Sequence, residues 1–577
     1  MMEENRRYKG KWEPRVDYPE WMLERSLVTL EGGYLIEDET PRQAMYRIAR
    51  KAGDILKMPN IVEPIFQAIW KGWICPSSPV WSNFGAARGL PISCFSIELG
   101  DSISEIYDGV AEIAKMSQMG GGTAAYAGNL RERGAKVASS GGVSNGSKSF
   151  AMPFDTTINI VTQGKTRRGS MAWYLPFNHP DFYEHLQIKA VGDPVQNLFP
   201  GVCLEKEDYD AIYAGETWAL ERWATIMKSR SATGLPYIFD THNANNHSSC
   251  PIWYGDNTDM PLKASNLCTE IFLPTNLEES FVCCLLSMNL AKWDEWKDTK
   301  AVRGAIYLLE AINQDFINKT EGIKEMQRAR KFAIKHRALG LGVLGWHTYL
   351  QSKRQPFTGI YATSQTHVIM GSIKEKAERA SEKLAEKFGN CEVVEEYNVK
   401  NGTDFKRRHT TLLAIAPTTS NATIAGGVSP GIEPIISNYY VLGGAKGNFT
   451  VRNPELEKLL KEKNMDNTDV WSSIRDNEGS VQHLEFLTPE EKEDFLTFGE
   501  INQFELVKQA AVRQQYIDQG QSLNVKIKPD TDPKVVSSLY LMGHELGIKS
   551  FYYQRSENVL RKGISAMDME ACVACSG

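Results

Sequence analysis

The chain has 577 residues, of which 42% are hydrophobic and 24% charged, a balance typical of proteins that bury a large core rather than of disordered or fibrous chains. A formal net charge of −6 disfavours nonspecific nucleic-acid binding, which depends on an excess of lysine and arginine. The sequence has no apolar run of about 18 residues that could cross a membrane, and no secretory signal at its N-terminus. We therefore expect a cytoplasmic protein that binds neither nucleic acid nor membrane, with ten cysteines kept as thiols.

The chain divides into three predicted parts. Residues 1–70 are expected to be a helical segment, because PRQAMYRIARKAGDIL has apolar residues at helical spacing after a Thr-Pro start signal. Residues 71–555 are expected to form an α/β domain, since short apolar runs such as CFSIEL and TLLAIA alternate with helical patterns. Within it, residues 445–500 are rich in charged and amide side chains, which predicts a solvated surface insertion. Residues 556–577 are expected to be a flexible tail.

The sharpest local signal is the pentapeptide NLCTE, which contains the amide of Asn266, the thiol of Cys268 and the carboxyl of Glu270. In an extended segment these three side chains would point to one face, where they could act together on one small molecule. The alternative is a structural cysteine between two solvated polar residues, because free cysteine is among the most buried residue types.

Four further cysteines stand out by position. Cys94 in ISCFS and Cys283 in VCCLLSMNL lie in apolar runs that predict buried strands, so they either face the same site or pack in the core. Cys572 and Cys575 form a Cys-x-x-Cys among small residues at the C-terminus, which suits an easily reduced disulfide on a mobile tail. Half of a zinc site is the alternative, but the sequence has no second pair of ligands to complete it. We predict no metal site.

A possible anion site follows Pro417, where the sequence predicts the start of a helix. Backbone N–H groups exposed at a helix start suit a phosphate, and hydroxyl and amide side chains there can add hydrogen bonds. An ordinary helix cap is the alternative. The residues concerned are Thr418, Thr419, Ser420 and Asn421.

Taken together, the chain resembles the large, catalytic subunit of class I ribonucleotide reductases from about residue 20 to its end. The motifs that carry the resemblance, in the family's order, are ISCFS, NLCTE, VCCLLSMNL, HRALGLGVLG, APTTSNATI with GIEP, SFYYQRS and the dithiol tail. The resemblance implies a ten-stranded α/β barrel with a central finger loop that carries Cys268. It also implies reduction of ribonucleoside diphosphates to 2′-deoxyribonucleotides.

The resemblance assigns a role to each residue of the pentapeptide and to two of the other cysteines. Cys268 corresponds to the thiyl radical that abstracts the ribose 3′-hydrogen, Glu270 to the base on the 3′-hydroxyl, and Asn266 to the amide that holds this hydroxyl. Cys94 and Cys283 correspond to the pair that supplies two electrons as it becomes a disulfide. The neighbouring Cys284 is expected to point away and pack, because Cys283 holds the family position in Cys-x-Leu-x-Ser-x-Asn-Leu.

Electron and radical partners follow from the same resemblance. Tyr552 and Tyr553 correspond to a pair that passes a radical from a metal-bearing small subunit to the active site, although two adjacent core tyrosines are the plain alternative. Cys572 and Cys575 correspond to a shuttle reduced by thioredoxin or glutaredoxin. No cofactor is expected in this chain itself. The tyrosine pair favours class I over the cobalamin-dependent class, and the C-terminal region has no glycyl-radical signature.

The resemblance also assigns binding residues. Those expected to line the substrate pocket are Ser78, Ser93, Gly121, Gly122, Thr418, Thr419, Ser420 and Asn421. Those expected to contact dNTP or ATP specificity effectors at a homodimer interface are Asp101, Ser102, Ile103, Arg131 and Arg167. Ala138 stands near the usual place of a second effector arginine, so the sequence leaves the use of this site open.

About 20 residues precede the first matching segment, too few for the ATP cone that senses dATP in many relatives. We therefore expect no activity control through such a module. Two alternative functions stay open at this point: a cobalamin-dependent (class II) reductase, and a non-catalytic nucleotide-binding homologue.

Overall fold

The computed structural model of the chain describes residues 12–36, 38–138, 141–161, 169–444 and 447–556. Its helices are α1 Glu24–Glu31, α2 Pro41–Leu56, α3 Val62–Trp70, α4 Ser78–Asn83, α5 Ile103–Gln118, α6 Ser147–Ile160, α7 Phe182–His185, α8 Lys206–Ala214, α9 Thr217–Thr233, α10 Thr241–Asn246, α11 Trp293–Trp296, α12 Ala301–Lys319, α13 Gln327–His336, α14 Trp346–Ser352, α15 Ile360–Phe388, α16 Glu392–Asn401, α17 Thr419–Ile424, α18 Pro454–Glu462, α19 Thr468–Asp476, α20 Pro489–Asp494, α21 Gln503–Gln514 and α22 Pro533–Glu545. Its strands are β1 Ile74–Pro76, β2 Cys94–Glu98, β3 Gly122–Tyr126, β4 Lys136–Val137, β5 Gly142–Val143, β6 Met171–Pro176, β7 Leu198–Leu204, β8 Tyr237–Asp240, β9 Phe281–Asn289, β10 Leu339–Leu344, β11 Tyr439–Gly444, β12 Gly447–Arg452, β13 Val525–Ile527, β14 Ser550–Phe551 and β15 Gln554–Ser556.

The N-terminal helices begin where local sequence signals place them. The Thr40 hydroxyl accepts a hydrogen bond from the Gln43 backbone, and the Gln43 side chain accepts one from the Thr40 backbone, with Pro41 in the first turn of α2. The apolar face of α2 packs on α3 and α12 and so joins these helices to the rest of the core. No helix within the described ranges is long and apolar enough to span a membrane.

The central sheet consists of two halves that run in opposite directions. In the first half, β2, β3, β6, β7 and β8 are parallel neighbours. In the second half, β9 and β10 are parallel, and the extended segments 411–415 and 519–525 continue the sheet beside β10. Backbone hydrogen bonds join these segments, for example from Ile415 N to Gly520 O (2.9 Å).

Two antiparallel junctions close the halves into a ring. At one junction β2 pairs with β9, and Cys94 lies opposite Cys283. At the other, β14 pairs with β8, and the chain just after β14 reaches the second half through a hydrogen bond from Tyr552 N to Leu523 O (2.9 Å). The eight strands β2, β3, β6, β7, β8, β9, β10 and β14, with the two extended segments, therefore form a ring of ten. This arrangement confirms the predicted ten-stranded barrel.

The region 445–500, predicted as a solvated surface insertion, has a small hydrophobic core of its own that the composition did not predict. The elements β11, β12, α18, α19 and α20 surround that core. The overall composition of this region does not reveal the core, because the leucines of α18 lie at helical spacing between charged residues. The core residues are Leu456, Leu459, Leu460, Trp471, Ile474, Val481, Leu484, Leu487 and Phe495.

Replacing Trp471 with alanine tests whether this core is separate from the barrel. Trp471 is fully buried, and deleting such a side chain typically costs about 3–5 kcal/mol of stability. We expect faster hydrogen–deuterium exchange, followed by mass spectrometry, across α18 to α20 and unchanged exchange in the barrel strands. The control is Trp218→Ala, which removes an exposed tryptophan on α9. Faster exchange throughout the barrel in Trp471→Ala would show that the two cores unfold as one unit.

Candidate active site

The loop between α10 and β9 enters the ring and carries Cys268 into its centre. The Tyr174 hydroxyl on β6 donates to the Asn266 carbonyl (2.7 Å), and the Ser522 hydroxyl donates to the Cys268 carbonyl (2.6 Å). β6 and the segment that holds Ser522 belong to opposite halves of the ring. A loop bonded to both halves lies inside the barrel, as expected for the finger loop.

The pentapeptide itself is a turn, so its three polar groups do not converge through the side-chain alternation of an extended segment. Thr269 has a φ of +62°, in the left-handed region. The Asn266 side-chain oxygen accepts hydrogen bonds from the backbone N–H groups of Glu270 (3.0 Å) and Ile271 (3.1 Å). Asparagine side chains that bond to nearby backbone in this way replace the pairing of a strand. The amide, thiol and carboxyl are therefore gathered by a turn, not by strand alternation.

Asn266 joins a thiol and a carboxylate in one buried polar cluster. Its side-chain nitrogen donates to Cys94 Sγ (3.1 Å) and to Glu270 Oε2 (2.9 Å). The Ser522 hydroxyl lies 3.3 Å from the same Glu270 oxygen. Asn266, Cys268, Glu270 and Cys94 are all buried. The structure thus brings together four of the residues that the sequence singles out, on two separate parts of the chain.

Cys94 and Cys283 face each other across β2 and β9. Directly opposed residues in antiparallel strands have Cβ atoms about 4.5–5.5 Å apart, close to the separation in a disulfide. Burial, with smaller contributions from Cys284 and Cys94, raises the pKa of the Cys283 thiol well above its ordinary value. Cys284 lies on the other face of β9, where Glu310 and Arg337 influence its pKa. Only Cys283 of the adjacent pair is therefore placed to react with Cys94.

Tyr552 and Tyr553 belong to a cluster of three tyrosines. Their ring centroids are 4.3 Å apart, and the ring of Tyr237 on β8 lies 4.9 Å from that of Tyr552. The Tyr237 hydroxyl donates to the Tyr553 hydroxyl oxygen (2.9 Å). Sequence reasoning missed Tyr237, because one tyrosine in a short apolar run reads as an ordinary core residue. The pairing of β8 with β14 alone reveals it.

The tyrosine cluster lies next to the finger loop. The Ser550 hydroxyl donates to the Thr269 carbonyl (2.7 Å), so this end of β14 touches the turn that carries Cys268. Ser550 and Tyr552 are two residues apart on an extended segment and share one face. Tyr552 is fully buried on this face, while Tyr553 is partly exposed. The cluster therefore leads from the protein surface towards the finger loop.

The residues expected to hold phosphate form the first turn of α17. Thr418 has a φ of +54°, and its hydroxyl oxygen accepts from Gly431 N (2.7 Å) instead of capping the helix. This contact argues against the ordinary helix cap. The side-chain oxygen of Asn421 is buried and has no hydrogen-bond partner in the described part of the chain. A buried polar atom left in this state is typical of a ligand-binding site.

The second set of expected substrate residues lies around β1, β2 and β3. The Ser78 hydroxyl is buried and, among the described residues, also has no hydrogen-bond partner. The Ser93 hydroxyl lies 3.5 Å from that of Ser77, and Gly122 N donates to the Ser93 carbonyl (2.8 Å). At Gly121 a side chain would collide with the ring of Phe95, so close packing there requires glycine.

A small hydrophobic cluster brings these two sets together. Cys75 on β1, three residues before Ser78, packs with Leu344 and with Ala425 at the end of α17. Ser78 at the start of α4 and Asn421 in α17 are therefore in neighbouring parts of the fold. This arrangement can bind one polar ligand from two sides.

The expected effector residues meet at the start of α5. Arg131 Nε lies 2.5 Å from Asp101 Oδ2, and Arg131 N donates to Asp101 Oδ1 (2.9 Å). The side chain of Ser102 caps α5, and Ile103 is 61% exposed. Arg167 lies outside the described residues, as do the tail cysteines Cys572 and Cys575.

Residues 92–222 and 220–554 match the protein family described as the ribonucleotide reductase barrel domain. The chain belongs to the ribonucleotide reductase family. The Actinobacillus ureae class Id ribonucleotide reductase alpha subunit has a similar structure, with a TM-score of 0.86 and 44% identity, covering 93% of this chain and 98% of that one.

Viral relatives support the same assignment. A Frog virus 3 (isolate Goorha) protein assigned as a ribonucleoside-diphosphate reductase large subunit is 33% identical over 90% of this chain and 93% of its own length. The large subunit of Invertebrate iridescent virus 3 is 31% identical over 92% of this chain and 94% of its own length. These likenesses favour the large subunit of a ribonucleoside-diphosphate reductase over both alternatives. The reductase is therefore an enzyme that makes deoxyribonucleotides.

Replacing Tyr237 with phenylalanine tests whether the third member of the tyrosine cluster is needed for turnover. The change removes the hydroxyl that donates to Tyr553 but keeps the ring, so folding should change little, by about 1 kcal/mol. We expect turnover with the small subunit to fall about 10- to 100-fold, since a displaced reacting group is costly. The control is Tyr254→Phe, which removes a buried hydroxyl that bonds to His336 far from the cluster. Equal losses in both variants, or normal turnover in Tyr237→Phe, would make Tyr237 a packing residue.

Proposed function

We propose that this reductase is the catalytic subunit of a class I enzyme that reduces ribonucleoside diphosphates by thiyl-radical chemistry at Cys268. One observation carries the proposal: the finger loop presents Cys268 inside the barrel, where Asn266 contacts both Cys94 Sγ and Glu270 Oε2. A radical centre, a base and a reducing thiol are thus within reach of one sugar ring.

The proposed chemistry balances within this cluster. The Cys268 thiyl radical takes the 3′-hydrogen of the ribose, while Glu270 removes the proton of the 3′-hydroxyl, which Asn266 holds. The 2′-hydroxyl then leaves as water. Cys94 and Cys283 supply two electrons and two protons as their sulfurs form a disulfide, and Cys268 finally returns hydrogen to C3′. Each cycle converts one ribonucleotide and one dithiol into one deoxyribonucleotide, one water and one disulfide.

Burial suits the reducing pair to this task. A thiol with a raised pKa stays protonated at neutral pH, so Cys283 is held as a hydrogen donor and not as a nucleophilic thiolate. Enclosure in the barrel also keeps large molecules away from the radical. The same enclosure means that a large protein reductant cannot reach the pair directly.

Substrate phosphates are proposed to bind at the α17 turn, with Thr418, Thr419, Ser420 and Asn421 on one side. Ser78, Ser93, Gly121 and Gly122 are proposed to line the other side of the substrate. Support comes from the buried Ser78 and Asn421 oxygens, which have no hydrogen-bond partner in the described ranges. The packing of Cys75 against Ala425 adds to it, because it brings the chain before α4 next to the end of α17.

The radical is proposed to come from a small subunit that holds a metal centre, and to pass through Tyr553 and Tyr552 to Cys268. The close contact between the Tyr552 and Tyr553 rings, whose centroids are 4.3 Å apart, and the contact of β14 with the finger loop support this route. Within the described part of the chain, no group of three or more His, Cys, Asp or Glu side chains is placed to hold a metal ion.

We also propose a homodimer that binds dNTP or ATP effectors beside Asp101, Ser102, Ile103 and Arg131, with Arg167 completing the site. The neighbouring helices α5 and α6 expose large apolar side chains to solvent, which is typical of a surface that a second copy covers. These side chains are Ile103, Tyr107, Met152 and Ile160. The cytoplasmic location stays a prediction.

CDP reduction by this chain with its co-purified small subunit tests the proposed class and the role of Cys268. We expect Cys268→Ser to abolish turnover while CDP still binds, because an alcohol O–H bond is too strong for the radical step. Cys391→Ser is the control, since Cys391 is equally buried but lies at the start of α16. Product formation by Cys268→Ser would refute the assignment. Turnover with adenosylcobalamin and no small subunit would contradict class I.

The tail is proposed to carry electrons to the buried pair. Cys572 and Cys575 lie among small residues close to the C-terminus, where a chain can move and a thiolate can attack a disulfide. Thioredoxin or glutaredoxin would then reduce the tail and not the barrel.

Changing both Cys572 and Cys575 to serine should leave about one reductive turnover and then stall with a thioredoxin-type reductant. Dithiothreitol should restore part of the activity, because it is small enough to enter the barrel. Product per enzyme, measured with each reductant, checks both expectations. Continuous turnover of the double variant with thioredoxin would remove the tail from the electron route and reopen the zinc alternative.

A further inference from the structure

A buried carboxylate lies between the α17 turn and Tyr553. Glu433, in the GIEP motif, is only 6% exposed. Its Oε1 accepts a hydrogen bond from Asn524 Nδ2, and its Oε2 lies 3.8 Å from Arg555 Nη2. Burial raises the pKa of the Glu433 carboxyl, and Arg555 and Asn524 oppose this rise. Burying such a group is costly unless its partners hold it, so its contacts define its position closely.

On one side, these contacts reach the backbone of Tyr553. The Asn524 side-chain oxygen accepts a hydrogen bond from Tyr553 N (2.9 Å), while its nitrogen donates to Glu433. Because both ends of the amide are used, its orientation is fixed. Val525 N donates to the Tyr553 carbonyl (3.1 Å) next to it. A displacement of Glu433 therefore moves Asn524 and, with it, Tyr553, whose hydroxyl bonds to that of Tyr237.

On the other side, a short and tightly packed segment leads from Glu433 to Thr418. Glu433 N donates to the Pro430 carbonyl (3.0 Å), and Gly431 N donates to the Thr418 hydroxyl oxygen (2.7 Å). Gly431 has a φ of +49°, and a Cβ there would lie 3.0 Å from the Ala416 carbonyl oxygen. The segment leaves no space for independent movement, and Thr418 itself holds a left-handed conformation that only its surroundings maintain.

We propose that Glu433 is a positioning residue that couples binding of substrate phosphates at the α17 turn to the placement of Tyr553 for radical transfer. The coupling runs from Thr418 through Gly431 to Glu433, and from Glu433 through Asn524 to the Tyr553 backbone. It rests on the proposed function, in which the turn takes phosphates and Tyr553 relays the radical. Such coupling is reciprocal, so the state of Tyr553 also affects the affinity for the nucleotide.

The test uses the full chain with 3-fluorotyrosine at position 553, observed by ¹⁹F NMR during titration with CDP. Binding of CDP is measured separately by calorimetry. We expect the fluorine signal of the otherwise unchanged chain to move on saturation with CDP. In Glu433→Ala the shift of the fluorine signal should be lost although CDP still binds. In Glu433→Gln part of the shift should return, because glutamine keeps a hydrogen-bond acceptor for Asn524.

With the small subunit present, Glu433→Ala should lower kcat about 10- to 100-fold and leave KM within about threefold.

Glu279→Ala is the matched control, because Glu279 is equally buried but pairs with His336 on the far side of β9. It should keep the response. If Glu433→Ala does not fold, Asn524→Ser cuts the same link from the other end. A full response in Glu433→Ala or Asn524→Ser, or its loss in Glu279→Ala, overturns the proposal. Absence of CDP binding to the unchanged chain would instead overturn the proposed function.

Discussion

Everything at the centre of this reductase depends on holding an irregular, polar loop inside a barrel. A loop in such a place has backbone groups that no strand pairs, and each unpaired group would cost free energy comparable to a lost hydrogen bond. The barrel satisfies them from its own wall, through Tyr174, Ser522, Ser550 and the backbone of Gly520, which donates to the Glu270 carbonyl (2.9 Å). These bonds fix the turn, and the turn fixes the thiol.

The same constraint shapes the chemistry. Burial lowers the local dielectric and strengthens each interaction inside the cluster, including the hydrogen bonds from Asn266 to the Cys94 thiol and the Glu270 carboxyl. Burial also raises the pKa of the Cys283 thiol and closes off both Cys94 and Cys283 from solvent. In the proposed mechanism, electrons and the radical must therefore reach the cluster from outside, and the tyrosine cluster beside the finger loop is the route proposed for the radical.

The sequence predicts an element or a site residue where a short stretch of chain determines it, and fails where contacts between distant stretches do. The capped start of α2 and the strands that carry Cys94 and Cys283 follow from short patterns, and they form as expected. The finger loop at Cys268 was expected from the resemblance, but its turn was not, because period-two spacing of polar groups does not reveal that the Asn266 side chain will bond to nearby backbone. The positions of Tyr237 and Glu433 depend on long-range pairing, which no single stretch of sequence displays.

The family resemblance supplied what local patterns could not, namely the ring of ten and the grouping of distant motifs. Of the two extended segments, 411–415 lies in the apolar run TLLAIA, which the sequence pattern picks out. Segment 519–525 has no such run and joins the ring by scattered backbone bonds, so the pattern misses it. The hydrophobic core around Trp471 escaped notice for a different reason. Its apolar residues are diluted among charged ones, and only their helical spacing shows that they share a face.

The two antiparallel junctions have a consequence for how the chain becomes active during synthesis. The cysteine pair spans the junction of β2 with β9, and Tyr237 meets Tyr552 at the junction of β8 with β14. Each pair joins segments that the ribosome makes far apart in time, and such distant contacts form late in folding. A nascent chain therefore holds single thiols and single tyrosines on separate strands. Neither pair is assembled until both halves of the ring have closed, so an incomplete chain contains the residues of the site without their arrangement.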